Sequence, residues 1–444
     1  MTQGEYFGTS GIRGRVGAEV DAELALTVGR AVAAETDRVV VGRDARTSGP
    51  MLLDALTAGL TECGTDVVDV GVASTPTIAR GVAARDADAG IAVTASHNPA
   101  RDNGLKLWQP SGQAYDRPMQ DRLVGLIRAG EFDRRPWDDL GARSSWAGAQ
   151  ASHVAAIADA VDVSEPLSVV VDLGNGAGGV SVEALQAIGC SVETLNAQPD
   201  GRFPGRPSEP TAENCSTLAA TVGGTDADLG IAHDGDADRM MAVTGDGEFV
   251  PGDVLRALFA REAAESGDRV AVPVDTSLLV ADTLATVGAE VVRTRVGDVF
   301  VAERASEAGV AFGGEPSGAW IFPEDTLCPD GPLAAAKLVE LVAEGGPLAE
   351  QVADIERYPT KRTTFEVADK TAAMEAISAT VHDEYDSVDT LDGVRVDLGD
   401  AWFLVRASGT EPRIRVTAEA RDPARAETVF EEARTLVETH AETV

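Results

Sequence analysis

The sequence predicts an α/β protein of three similar mixed α/β units followed by a different, α+β unit. Three observations predict it. Short apolar runs ending in glycine or polar residues recur along the chain, with alanine-rich amphipathic stretches between them, the alternation expected of parallel strands joined by helices. The pattern changes after Tyr358-Pro359, where strand-like runs follow one another closely. The length of 444 residues suits roughly three domains at ~150 residues each.

In chain order the strand signals are 39–44, 91–97, 169–175, 229–234, 270–275 and 310–315, and the helical ones 51–62, 181–188 and 255–265. Their recurrence reads as three related units. Beyond Pro359, residues 362–367, 394–398, 401–405 and 413–418 read as strands, with a helix at 423–438. The Gly-, Trp- and charge-rich stretch 133–150 is expected to be a linker, and further breaks fall near 245–252 and 356–360. The predicted units are 1–145, 146–250, 251–356 and 357–444. Ligands of such sheets gather at the carboxyl ends of the strands, so the polar ends of the runs are where chemistry is expected.

Composition narrows the class. Apolar residues make up 44% of the chain, enough for packed cores. No run is long and apolar enough to span a membrane, and residues 1–6 lack the pattern of a secretory signal. The cysteines, Cys63, Cys190, Cys215 and Cys328, are too scattered for a disulfide framework, so a cytoplasmic location is expected. The formal net charge of −36 disfavours nucleic acid and anionic membranes as partners. It also means that any anionic substrate needs a local concentration of cations. Lysine is confined to Lys106, Lys337, Lys361 and Lys370. Such a carboxylate-rich, lysine-poor surface reads as adaptation to high salt, where screening damps self-repulsion.

Four loops carry candidate chemistry. Thr94-Ala95-Ser96-His97-Asn98-Pro99 places a serine at a strand's carboxyl end. Pro99 biases Asn98 away from helical angles, and His97 is placed to orient or activate the hydroxyl. No GxSxG elbow surrounds the serine; a serine that merely caps a turn fits this loop alone equally well. Lys106 lies ten residues on, available to a phosphate or a proton. Asp234-Gly235-Asp236-Ala237-Asp238-Arg239 offers three alternate carboxylates, a donor set for magnesium or calcium. It is not an EF-hand, since Arg239 and Gly245 stand where that loop needs glycine and glutamate. A solvated acidic turn is the competing reading, and Arg239 argues against it by suiting a phosphate shared with a cation. In Gly313-Gly314-Glu315-Pro316-Ser317-Gly318, Glu315 and Ser317 can point to one side and bond adjacent hydroxyls, although a plain turn fits too. Arg406-Ala407-Ser408-Gly409-Thr410-Glu411-Pro412 has the hydroxyls, exposed backbone and arginine of a phosphate cradle, with Arg413 and Arg415 adding charge.

One motif points elsewhere. Gly174-Asn175-Gly176-Ala177-Gly178-Gly179 fits GxGxxG after a strand, and Glu193 lies where a ribose-binding acid belongs, as in an NAD-dependent dehydrogenase.

Together the loops resemble the alpha-D-phosphohexomutases, in the family's order and along nearly the whole chain. Phe7-Gly8-Thr9-Ser10-Gly11-Ile12-Arg13-Gly14 is similar to the family's amino-terminal signature. Residues 94–99 resemble its phosphoserine loop, 234–239 its metal loop, 314–318 its sugar loop and 406–412 its phosphate loop. The resemblance implies four domains around a central cleft, the last TATA-box-binding-protein-like, and makes the stretch 174–179 a structural turn. It implies a phosphosugar substrate, one Mg2+ ion held by Asp234, Asp236, Asp238 and Ser96, and a hexose 1,6-bisphosphate activator. Phosphorylated Ser96 would give its phosphate to a hexose monophosphate, and the bisphosphorylated sugar would turn over and return the other phosphate. Arg13, Lys106 and Arg239 would offset charge on the moving group. Glu315 and Ser317 would grip the sugar, and Arg406, Ser408, Gly409, Thr410 and Arg415 the idle phosphate. Val296-Gly297-Asp298-Val299 resembles phosphoglucosamine mutases, whose substrate is glucosamine phosphate; glucose or mannose phosphate is the alternative, and a non-catalytic phosphosugar sensor a further one. Pro316 and Ala319 depart from the family pattern, and the family histidine expected after Gly318 is missing.

Overall fold

The computed structural model describes Gly8, residues 11–408 and residues 412–441. The first sheet runs β1-β5-β4-β2-β3-β6, built from β1 (Ile12–Arg15), β2 (Arg38–Arg43), β3 (Asp66–Val72), β4 (Ala89–Val93), β5 (Asp102–Trp108) and β6 (Arg143–Ser145). Helices α1 (Ala22–Ala33), α2 (Gly49–Glu62), α3 (Thr75–Ala84) and α4 (Arg117–Ala129) cover it. The central strands β4 and β2 read Ala-Gly-Ile-Ala-Val and Val-Val-Val and are buried on both faces, the pattern of strands sandwiched between helices. Gly29 and Gly59 let α1 and α2 touch backbone to backbone: a Cβ on either would fall 2.4 or 2.2 Å from the other helix's carbonyl oxygen.

The second unit has α5 (Ala149–Asp159), β7 (Ser168–Asp172), α6 (Gly179–Ala187), β8 (Ser191–Leu195), α7 (Ser216–Val222), β9 (Leu229–His233) and β10 (Met240–Thr244), with sheet order β10-β9-β7-β8. The third has α8 (Gly252–Ala263), β11 (Arg269–Pro273), α9 (Leu278–Ala285), β12 (Glu290–Thr294), α10 (Asp298–Ala305), β13 (Val310–Gly314), β14 (Trp320–Ile321), α11 (Gly331–Gly345) and α12 (Leu348–Ala353), with sheet order β12-β11-β13-β14. These two units share one apolar core, running from Val169 and Ile231 through Leu255 and Phe259 to Phe312 and Trp320. The first unit keeps its own.

The fourth unit is an antiparallel sheet ordered β15-β19-β18-β17-β16. Its strands are β15 (Thr360–Glu366), β16 (Val388–Asp389), β17 (Val394–Asp397), β18 (Ala401–Ala407) and β19 (Arg413–Ala420), packed under α13 (Lys370–Glu384) and α14 (Pro423–His440). It meets the third unit through a small cluster of Val274, Leu278, Trp402 and Leu404.

The first three sheets are mixed, as the fold class expects: beside their parallel strands, β5, β10 and β14 pair antiparallel with β4, β9 and β13. Each such hairpin brings its turn back across the end of the sheet where the chemistry lies. The stretch 133–150 is not simply a linker, because β6 pairs with β3 and α5 begins at Ala149. Its charge misled the reading, since β6 is an exposed edge strand and edge strands tolerate charge.

Candidate active site

Ser96 sits just past β4 with φ 53°, a left-handed angle uncommon for a residue with a side chain, so the loop must be held from outside. Arg46 holds it. Its buried guanidinium pairs with Asp44 at 2.9 Å and donates to the carbonyls of Pro99, Asp102, Ser96 and Asn98 at 2.6–2.8 Å. Asp44 also accepts the Thr94 hydroxyl at 2.8 Å, and Thr94 Oγ1 accepts the Ser96 N–H at 2.9 Å. From the second unit, Ser208 donates its hydroxyl to the Ser96 carbonyl at 3.0 Å.

The acidic loop leaves β9 in the same way. His233 braces it, with one ring nitrogen 2.8 Å from the Arg239 carbonyl and the other 2.9 Å from the Ser181 hydroxyl. Burial pushes this imidazole down to about 4. Arg206 pairs with Asp172 at 2.7 Å and donates to the His233 carbonyl at 2.6 Å, the role Arg46 plays under the serine. The glycine-rich turn lies directly beneath. The N–H groups of Gly174, Asn175, Gly176 and Ala177 go to Asp172 Oδ1 and to the carbonyls of Asn196, Leu173 and Gly235. The amides a dinucleotide pyrophosphate would need are thus consumed by protein, and Glu193 is an exposed mid-strand residue. This stretch supports the acidic loop.

The two loops meet. The Ser96 hydroxyl donates to Asp234 at 2.7 Å and lies 3.4 Å from Asp238. Asp234, Asp236 and Asp238 are buried, with candidate ligand atoms all within 4.8 Å of one another. Lys106, on β5, binds Asp236 at 2.8 Å and also Asp238. Burial works against its charge, but the two carboxylates overcome that and raise its pKa. Burial and their neighbours push Asp234 and Asp238 up; at Asp236 burial is outweighed, chiefly by Lys106, and its pKa falls. Asp236 Oδ1 is buried with no hydrogen-bond partner. Three clustered carboxylates, one with an unsatisfied buried oxygen, are a hard-oxygen donor set that fits a divalent cation such as magnesium.

Arg13 and Arg239 flank the cluster, acting electrostatically on Asp236 and on Asp234 and Asp238 respectively. The Nε of Arg13 is buried without a partner. His97, expected to orient the serine, makes no hydrogen bond to it among the described residues; Asp234 does. Burial, with Arg239, Arg13 and Lys106 around it, pushes His97 down to about 2, too weak a base to activate a hydroxyl.

Glu315 follows β13. It accepts the Gly297 N–H at 2.8 Å and stands 3.4 Å from the Ser317 hydroxyl. Burial and the neighbouring Asp298 push it up to about 7. Asp298 also acts on Lys106, Asp238 and Arg239, so this third-unit loop faces the cluster. The fourth unit is reached indirectly. Arg406 and Arg415 lie opposite each other on β18 and β19. Arg406 pairs with Asp392 at 3.1 Å, and Asp392 accepts the Val296 N–H at 3.0 Å, one residue before Gly297. Ser408 is buried, its N–H on the Arg413 carbonyl at 2.8 Å. Gly409 and Thr410 lie outside the described residues. Arg413 is turned to Glu366 at 3.0 Å. Among the described residues the serine–aspartate cluster makes no hydrogen bond to the fourth unit.

The sequence reading missed Arg46, Ser208, Arg206 and Thr75, whose hydroxyl reaches Asp236 at 2.6 Å. Arg46 carried a signal, two residues past Asp44 at the end of a predicted strand; the others carried none, being far in sequence from what they touch.

Sequence profiles of the phosphoglucomutase/phosphomannomutase family match the chain in order: alpha/beta/alpha domain I over residues 4–134, domain II over 151–247, domain III over 251–358 and the C-terminal domain over 362–436. A probable phosphoglucosamine mutase of Methanopyrus kandleri is 47% identical, with 97% of each chain covered. A phosphoglucomutase/phosphomannomutase family protein of Burkholderia thailandensis superposes with a TM-score of 0.88 at 29% identity, covering 100% of this chain and 99% of that one. An N-acetylphosphoglucosamine mutase of Aspergillus fumigatus, solved with GlcNAc-6P and magnesium, shares the fold at 16% identity and a TM-score of 0.60, covering 100% and 97%. Four domain profiles met in order, and a relative nearly half identical along almost all of its length, establish that this chain belongs to the phosphoglucomutase/phosphomannomutase family of phosphosugar mutases.

Proposed function

We propose that the chain is a phosphoglucosamine mutase, interconverting glucosamine 6-phosphate and glucosamine 1-phosphate through phosphorylated Ser96. The contact between the Ser96 hydroxyl and Asp234 inside the buried aspartate cluster carries this reading, and the names of the relatives support the choice of sugar. The units would run 1–145, 146–250, 251–356 and 357–444, contributing the serine, acidic, sugar and phosphate loops in turn.

Asp234, Asp236, Asp238 and an oxygen on Ser96 would hold one magnesium ion, which when bound would supply Lewis-acid stabilisation of the phosphoryl group. A hexose 1,6-bisphosphate would first charge Ser96. The phosphoserine O–P bond would then break as an O–P bond forms to the free sugar hydroxyl; that hydroxyl gives up one proton and the freed Ser96 oxygen takes one up, so no net proton is gained or lost. The bisphosphorylated sugar turns over and the other phosphoryl group returns to Ser96. Lys106 enters as a cation, because Asp236 and Asp238 keep it protonated; with Arg13 and Arg239 it offsets charge on the equatorial oxygens. Glu315 and Ser317 grip sugar hydroxyls. Arg406, Ser408, Gly409, Thr410 and Arg415 hold the idle phosphate, fixing geometry at the reacting end. His97 packs beside the nucleophile as a neutral ring.

The test is intact-mass spectrometry beside turnover. Wild-type protein incubated with magnesium and a hexose 1,6-bisphosphate gains one phosphoryl group and turns over glucosamine 6-phosphate faster than glucose or mannose phosphates. Ser96→Ala does neither. Equal turnover by the two proteins overturns the mechanism; preference for glucose 1-phosphate overturns the choice of sugar alone.

A further inference from the structure

Asp236 has two carboxylate oxygens in opposite situations. Oδ2 is saturated, accepting the Thr75 hydroxyl at 2.6 Å and the Lys106 ammonium at 2.8 Å. Oδ1 is buried and has no partner. Thr75 belongs to another unit, 161 residues away in sequence, as the first residue of α3. It is fully buried, and its N–H also donates to the Asp236 carbonyl at 2.9 Å. Two bonds from one residue thus fix both the backbone and the carboxylate plane of Asp236. The rest of the turn is equally held: Ser74 caps α3, its hydroxyl 2.7 Å from that of Thr77, and Thr77 meets His153 Nδ1 at 2.8 Å. A β-branched side chain with few rotamers suits a fixed donor.

We propose that Thr75 is a positioning residue for the metal ligand Asp236. Its hydroxyl occupies Oδ2, so that Oδ1 alone is presented to the cation. The first unit therefore completes the metal site twice, with Ser96 as a ligand and with Thr75 behind a ligand. Lys106 does not duplicate this role, because its ammonium is shared with Asp238 and is needed by the moving phosphoryl group. The inference rests on the magnesium reading given above. Partners behind metal ligands commonly alter affinity by about 10–100-fold when removed.

Thermal unfolding of the full-length protein titrated with magnesium chloride tests it without recourse to catalysis. Thr75→Val should need at least about tenfold more magnesium for the half-maximal shift, while Thr75→Ser, which keeps the hydroxyl, should stay within about twofold of wild type. At saturating magnesium, Thr75→Val should recover most of its turnover with an unchanged KM for sugar phosphate. Thr75→Ala serves in its place if the valine variant does not fold. A folded variant without the hydroxyl that keeps the wild-type magnesium midpoint overturns the proposal, as does a serine variant shifted as far as the valine one. Wild-type protein with no magnesium response overturns the metal reading itself, an outcome distinct from failure of the Thr75 role alone.

Discussion

Arg46 shows how one side chain can set the conformation of the loop that carries Ser96. Ser96 is held at a positive φ, a local strain of about 1–3 kcal/mol, and the buried guanidinium offsets it by binding the carbonyls of Ser96 and of Asn98, Pro99 and Asp102 after it. Arg46→Met would leave Asp44 buried and unpaired, destabilising the fold by about 3–5 kcal/mol in urea denaturation. Arg46→Lys keeps the charge but cannot span those carbonyls, and should fold while losing about 100-fold in kcat; wild-type turnover in that variant would remove the loop-holding role. Glu315 gives a pH signature. Its pKa rises from 4.5 unfolded to about 7 folded, through burial and Asp298. The neutral form is therefore favoured in the fold, and the contribution to stability is whole below pH 4.5 and lost as pH climbs through 7. Glu315→Gln keeps an oxygen for the Gly297 N–H and cannot ionise. The variant should gain up to about 3 kcal/mol on wild type between pH 5 and pH 8, and an equal gap at both pH values would refute the assignment. Ser96 and the three aspartates were legible in the sequence because each loop carries its chemistry in consecutive residues. Arg46, Arg206 and Thr75 were not, because their meaning lies in what the fold brings to them.

The same division holds for elements. The central strands were legible from their apolar runs, and β2, β4, β9 and β13 lie within a few residues of the positions expected. The antiparallel strand β5, Asp-Asn-Gly-Leu-Lys-Leu-Trp, was not: it buries Asn103, bonded to Ser48, and Lys106, bonded to Asp236, so apolar residues alone do not mark its buried positions. α3 joins three units at once. Its Thr77 meets His153, whose other ring nitrogen lies 3.0 Å from Asp330, and its Arg80 pairs with Asp330 at 2.7 Å. Asp330 also caps α11 through the Leu333 N–H at 3.0 Å. Burial opposes its charge, but His153 and Arg80 hold its pKa below the ordinary 3.8. That contribution is present above pH 3.8 and lost as pH falls through the depressed value. Asp330→Asn should keep the cap and still destabilise by about 3 kcal/mol at pH 7, the gap closing in acid. A gap that persists unchanged at pH 2 would show that the carboxylate charge is not what joins the units.

Across the whole molecule, each of the first three units uses a buried arginine under its functional loop: Arg46 under the serine, Arg206 under the acids and Arg256 against the Gly314 carbonyl beside Glu315. The chain as a whole carries a formal net charge of −36. Two opposed effects of salt follow. Screening weakens the exposed ion pairs, such as Arg143 with Asp69 and Arg421 with Asp282, which are worth about 0–1 kcal/mol each. It also relieves repulsion among the excess carboxylates, which acts over the whole surface and grows with net charge. With 73 acidic against 37 basic side chains, the second effect should win, because even one-to-one pairing would leave 36 carboxylates with no cation to lose. The melting temperature should therefore rise between about 0.1 M and 1 M sodium chloride, as the screening length shrinks from about 10 Å to 3 Å. Buried pairs such as Asp44–Arg46 are shielded from this change. A melting temperature that falls over that range would mean that the surface pairs outweigh self-repulsion, and that the acidic composition has no stabilising relation to salt.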